Sequence, residues 1–173
     1  MEASVEELKS SYHTNPIFEF FTQEEFDQFL RMTDILTYKP NEVIFERSQE
    51  PRGLYVLVEG KVKVTQTKEE GKAPRVLAEL EAPTVLGEMA LLEKRQRTST
   101  ATASVRTTAL LLGKERFNDA LYKDELMAFK LSHNLGKILT KKIVAMNKHM
   151  MEMKQTFKEF SNFKNSLFSD WNF

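Results

Sequence analysis

The spacing of apolar residues changes along this chain from helical, to alternating, and back to helical. Asn15-Pro16 reads as a turn, with Ile17, Phe18, Phe20 and Phe21 as an apolar lead-in. Thr22-Gln23-Glu24-Glu25 has the form of a capping box, and Phe26, Phe29 and Leu30 follow at helical spacing. That predicts a helix with one buried face. From Ile35 the period becomes two. Leu54, Val56 and Val58 alternate with Tyr55, Leu57 and Glu59, and Val62 and Val64 then alternate with lysines. Gly60 separates these halves, where a hairpin needs a residue tolerant of positive φ. Lys68 to Lys72 forms a polar loop tip, Val76 to Leu80 another strand bounded by Pro83, and Thr100 to Ser104 and Thr108 to Leu112 two more.

After Gly113 the pattern is helical again. Arg116 to Leu121 predicts a short helix, and a long one begins near Asp124 with no later proline. Leu139, Ile143, Met146, Met150, Met153, Phe157 and Phe160 recur at steps of four and three, the a/d stripe of a coiled coil. A helix from Asp124 to Phe160 would be about 55 Å long, more than one small domain can cover. The stripe therefore predicts a homodimer seam, softened by its methionines. Phe163, Phe168, Trp171 and Phe173 add an aromatic tail expected to fold back or dock on a protein partner.

These elements predict an α+β fold. Its centre is a β-roll, or double-stranded jelly roll, flanked by an N-terminal helix and a long C-terminal one. The expected segments are a lead-in at 1–21, the roll at 22–123, and the helix with its tail at 124–173.

Composition removes several function classes. The 173 residues carry 25 lysines and arginines against 25 acids, without the basic bias of a nucleic-acid binder. There is no cysteine, and His13, His133 and His149 do not share a metal-ligand spacing, so no metal is expected. No paired catalytic carboxylates or nucleophile with a base stand out, which argues against an enzyme. The first nine residues hold three acids and no apolar core, unlike a secretory signal. No apolar run nears the ~18 residues of a membrane span. The expectation is a soluble, cytoplasmic protein without a membrane partner.

The remaining candidate chemistry lies between Gly87 and Thr100. Gly87-Glu88-Met89-Ala90-Leu91-Leu92 is followed by Arg97-Thr98-Ser99-Thr100, which sets an acid and a base nine positions apart around a turn of backbone amides. Such a set suits the two polar ends of a cyclic nucleotide. Glu88 would take the ribose 2′-hydroxyl and Arg97 the ring phosphate, with amides of a short helix beginning near Gly87 completing the anion site. Gly87 would let the ligand approach the backbone closely, and Ala90 would leave an amide open to the phosphate. Met89, Leu91 and Leu92 are expected to face the core. Val76 and Leu86 are candidates for the apolar walls.

This stretch resembles the phosphate-binding cassette of cyclic-nucleotide-binding domains, the family of catabolite activators, kinase regulatory subunits and nucleotide-gated channels. Lys39-Pro40-Asn41-Glu42-Val43-Ile44-Phe45 resembles the family's first strand pair, and Leu54 to Val64 its hairpin. The likeness covers roughly Thr22 to Leu121. It implies a cyclic nucleotide sensor, with cyclic AMP or cyclic GMP as ligand at Gly87, Glu88, Met89, Ala90, Arg97, Thr98 and Ser99. It also implies a helical lid over the base near Lys142 and Ile143, where this chain lacks the two hydroxyl residues of the activators. Asn134, Thr140 and Asn147 are further candidate base contacts. A threonine after the arginine is common in cyclic-GMP-responsive members, so Thr98 leaves that base open. Ser48-Gln49 replaces the Gly-Asp of many members, expected to alter a loop and spare the site. In bacterial activators the long helix leads to a helix-turn-helix module, whereas only about 13 residues follow the heptads here. DNA is therefore not expected as a partner. The alternative is a dimeric scaffold of the same fold that has lost its ligand.

Overall fold

The computed structural model describes residues 9, 12–67, 73–93 and 95–169, without the side chains of 162–169. The chain divides into two compact units, Met1–Leu135 and Gly136–Phe173.

In the first unit, Asn15 caps a 3-10 turn at Pro16–Phe18 by accepting a hydrogen bond from the Ile17 amide at 3.2 Å. Helix α1 follows at Gln23–Arg31, with the predicted capping box in both directions. The Glu25 amide donates to Thr22 Oγ1 at 3.3 Å, and the Thr22 amide donates to Glu25 Oε2 at 2.7 Å. Phe26 and Phe29 are buried, each 4.9 Å from the Phe18 ring.

Among the described residues, eight antiparallel strands build two sheets. They are β1 (Thr33–Tyr38), β2 (Val43–Phe45), β3 (Gly53–Glu59), β4 (Lys61–Gln66), β5 (Arg75–Glu81), β6 (Thr84–Leu86), β7 (Thr100–Ala103) and β8 (Thr107–Gly113). One sheet runs β1-β8-β3-β6 and the other β2-β7-β4-β5. The predicted jelly roll is thus present, but the hairpin read into residues 54–64 is not. β3 pairs with β6 and β8, while β4 pairs with β5 and β7. Gly60 is the corner where the chain changes sheets. Its φ is +99°, and a Cβ there would lie only 2.5 Å from the Arg106 carbonyl oxygen, so both conformation and space demand glycine. Likewise β1 and β2 lie in different sheets instead of forming a pair.

Tyr38, Ile44, Phe45, Tyr55, Leu57, Val62, Leu86, Ala101, Ala103, Ala109 and Leu111 form one buried cluster. β3 and β8 are buried on both faces. Leu54, Val56, Leu110 and Leu112 alternate with the cluster members and are wholly buried too. Helices α2 (Met89–Leu92) and α3 (Lys114–Tyr122) pack on β3 and β8 respectively.

Helix α4 spans Leu126–Ser169. Its first turns, with buried Met127, Ala128, Leu131, Asn134 and Leu135, belong to the first unit. In the second unit the helix carries the predicted stripe, and Ile143, Met146, Met150, Met153, Phe157 and Phe160 are exposed. The side chains of Phe163 and Phe168, and Trp171 and Phe173 entirely, lie outside the described residues. No helix among the described residues is long and apolar enough to cross a membrane.

Glu25 does more than cap α1. Lys130 Nζ donates to both of its carboxylate oxygens at 2.7 Å, fastening α1 to α4 with little side-chain exposure on either partner. Burial raises the Glu25 pKa, but the bonds from Lys130 and Thr22 outweigh it and hold the carboxyl below its ordinary value. A depressed carboxylate stabilises the fold above its unfolded pKa, and that contribution is lost as pH falls through the folded one. Glu25→Gln keeps an acceptor for the Thr22 amide and removes the charge. It should cost about 1 kcal/mol at pH 7. Urea unfolding of both proteins should show that gap closing as pH is lowered through the carboxylate range.

Candidate functional site

Arg97 is a buried charge set against the inner cluster of the roll. It lies in the segment between α2 and β7 and is only 8% exposed. Its main chain is held by the loop after β2, since the Arg97 amide donates to the Gln49 carbonyl at 3.0 Å and the Ser48 amide donates to the Arg97 carbonyl at 2.8 Å. The main chain at Ser48 and Gln49 is therefore part of the frame around Arg97. Ser48 adopts φ +67°, the left-handed conformation that glycine takes without strain.

The guanidinium is held by carbonyl oxygens. Nη2 donates to Gly53 at 2.8 Å and Nη1 donates to Gly87 at 3.3 Å. Nε is buried and has no partner among the described residues. Cζ stands 4.2 Å from the centre of the Phe45 ring and 5.7 Å from that of Tyr55. Burial lowers the Arg97 pKa, while Tyr55 and Glu88 oppose that shift. The same dry interior pushes the Tyr38 phenol up to about 12, chiefly by burial.

Gly87 makes this placement possible. Its φ is +73°, and a Cβ there would stand 2.3 Å from Arg97 Nη1. The glycine thus clears space for this chain's own arginine. Glu88, also 8% exposed, occupies the N-cap position of α2 and acts electrostatically on Arg97. The structure therefore brings Gly87, Glu88 and Arg97 together.

Other expectations need correction. The Ala90 amide donates to the Gly87 carbonyl at 3.0 Å, so it closes the turn instead of remaining open. The side chain of Ala90 is buried with Leu91, but Met89 and Leu92 face outward at 44% and 48% exposure, because a single helical turn can bury only one side. Thr98 is exposed and Ser99 half-buried, beside Arg97 in sequence. The Thr98 carbonyl accepts from Gln66 Nε2 at 3.1 Å. Leu86 belongs to the inner cluster, but Val76 is 49% exposed. Val64 and Leu80, not expected as walls, are partly buried strand residues packed against that cluster, as is Leu36.

Among the candidate base contacts, Asn134 is engaged elsewhere. Its Nδ2 donates to the carbonyls of Ile17 at 2.9 Å and Glu19 at 2.8 Å, tying α4 to the 3-10 turn. Thr140 Oγ1 donates back to the Gly136 carbonyl at 2.8 Å. Asn147, Lys142 and Ile143 are exposed positions of α4 in the second unit. Among the described residues no group of three or more histidines and acids could hold a metal.

A profile of the cyclic nucleotide-binding domain matches residues 35–124. The cyclic AMP receptor protein of Thermus thermophilus is 30% identical over 129 residues, 75% of this chain and 57% of that protein. The cAMP-dependent protein kinase regulatory subunit of Dictyostelium discoideum is 35% identical over 85 residues, 48% of this chain and 26% of that protein. The crystal structure of the Thermus thermophilus catabolite activator protein superposes with a TM-score of 0.71 at 26% identity, covering 81% of this chain and 63% of that one. The chain thus spans little more than half the length of one curated relative and about a quarter of the other. With the roll, the cassette and half of the sequence matching one profile, this chain belongs to the cyclic nucleotide-binding domain family.

Proposed function

We propose that this protein is a regulatory sensor of cyclic AMP or cyclic GMP. Arg97 holds the ring phosphate, and Glu88 accepts a hydrogen bond from the ribose 2′-hydroxyl. Gly87 keeps the guanidinium seat open, and the Met89 amide with the Thr98 and Ser99 hydroxyls supplies further donors. The observation that carries this reading is the buried Arg97, whose Nε is an unmet donor on a permanent charge. A buried donor without a partner costs roughly 1–3 kcal/mol, and an anion arriving at it recovers that cost. The names of the two curated relatives support cyclic AMP as the first ligand to test.

Signal output runs through α4 in this reading. The exposed stripe from Ile143 to Phe160 is the surface that pairs with a second copy in this reading, its apolar side chains being open to solvent in the single chain. A ligand shifts that helix only by its differential affinity for two arrangements. The response passes to a protein effector in the cytoplasm in this reading. The ligand-free scaffold remains the outcome that titration would reveal.

Calorimetric titration with cyclic AMP and cyclic GMP tests the reading directly. Saturable binding of one of them is expected, and the absence of heat from either on folded protein would leave only the scaffold. Arg97→Ala should weaken binding at least about a hundred-fold, because a charge-assisted contact in a desolvated site is worth several kcal/mol. Wild-type affinity in that variant would assign the phosphate to another group. Gly87→Ala should displace the guanidinium and lower affinity by about ten-fold or more, since strain and collision coincide there. Truncation after Phe160 should leave affinity within about two-fold if the tail only docks on an effector, a difference of under 1 kcal/mol. A large loss would make the tail part of the ligand site.

A further inference from the structure

Arg97 must reach a dry interior and stay flat within it, and its hydrogen bonds to Gly53 and Gly87 go to neutral carbonyls, not to a carboxylate. What faces it there is aromatic. The Phe45 and Tyr55 rings are 5.7 Å apart and inclined by 38°, and Cζ lies within reach of both. Both rings are nearly fully buried in the inner cluster, on strands of opposite sheets. Strand pairing fixes each of them relative to the cassette. Phe45 is in register with Ala101, just after the cassette on β7, and Tyr55 is in register with Leu86, just before Gly87. The rings are therefore carried by the pairing partners of the two strands that bracket the arginine's own segment.

We propose that Phe45 and Tyr55 are positioning residues of the phosphate site, two aromatic faces that hold the Arg97 guanidinium in place before the ligand arrives. The inference rests on the nucleotide reading and adds what keeps its principal charge in position. A guanidinium stripped of water regains attraction from the electron-rich faces of aromatic rings. The carbonyls of Gly53 and Gly87 set its place in the plane, and the rings set the plane itself. Tyr55 also favours the charged form of the guanidinium electrostatically. A charge already dehydrated and oriented binds an anion without the ordering cost that a mobile surface arginine would carry.

The test uses the full chain, three variants of the rings and an Arg97→Lys control. Phe45→Leu keeps an apolar side chain without the aromatic face, Phe45→Tyr keeps the face, and Tyr55→Phe keeps the ring without the hydroxyl. Affinity for cyclic AMP and cyclic GMP is measured by calorimetry and fold stability by thermal melting. The Arg97 Nε–H resonance is followed in a spectrum of 15N-arginine-labelled protein, assigned by its loss in Arg97→Lys. In wild type that proton should show an upfield ring-current shift and slow exchange with water. Phe45→Leu should weaken binding about ten-fold and shrink the shift to the smaller part that the more distant Tyr55 ring supplies, while Phe45→Tyr stays within about two-fold, the range set by cation–π contacts. Tyr55→Phe should keep the shift.

Wild-type affinity in Phe45→Leu, or an equal loss in Phe45→Tyr, would overturn the inference. So would a wild-type Nε–H without the ring shift, a result that needs no variant to fold apart from the assignment control. Failure of wild type to bind either nucleotide, with the ring-shifted signal present, would instead overturn the nucleotide reading and leave the aromatic seat standing.

Discussion

Keeping one guanidinium inside an apolar roll is the constraint on which this structure turns. A buried charge loses hydration worth several kcal/mol and must recover it from nearby groups. Arg97 does so through the carbonyls of Gly53 and Gly87, the faces of Phe45 and Tyr55, and the field of Glu88. These contributions come from different strands, so the roll must close before the arginine can be seated. The fold and the site are one construction in this respect.

The same constraint accounts for the backbone around the site. Gly87 has no room for a Cβ because the arginine occupies that room, and the 48–49 loop fastens the arginine's own main chain. Inside the roll, Ala101, Ala103 and Ala109 are small where the aromatic rings need space. The corner at Gly60 sends the chain from one sheet to the other, so that Tyr55 and Val62 meet in one interior. Within the first unit, the opening turns of α4 are clamped by Lys130 to Glu25 and by Asn134 to the 3-10 turn. Beyond Gly136 the helix carries an exposed apolar stripe.

The cassette was readable because its parts lie close in sequence. Gly87, Glu88 and Arg97 sit on one short segment, and their residue types announce a turn, an acid and a base at a characteristic spacing. The capping box at Thr22 and the a/d stripe on α4 were readable for a similar reason, since helical order is local and each signal spans a few turns. Alternation predicted where strands lie, closely enough to imply a roll. It could not say which strands pair. The hairpin expected at 54–64 failed because period two is identical for strands of one sheet and strands of facing sheets.

Local order in the chain therefore determined the elements, the cassette and the family resemblance, because each depends on residues near one another along the backbone. Tertiary structure alone decided the partners of Arg97. Phe45 lies 52 positions away from it and Gly53 44, so no spacing rule could connect them. It also assigned Asn134 to a clamp, turned Met89 and Leu92 outward, and made the 48–49 loop a support of the site. The reason is common to all of these: burial and pairing are set by which strands come to face each other, and that is known only once the chain has closed.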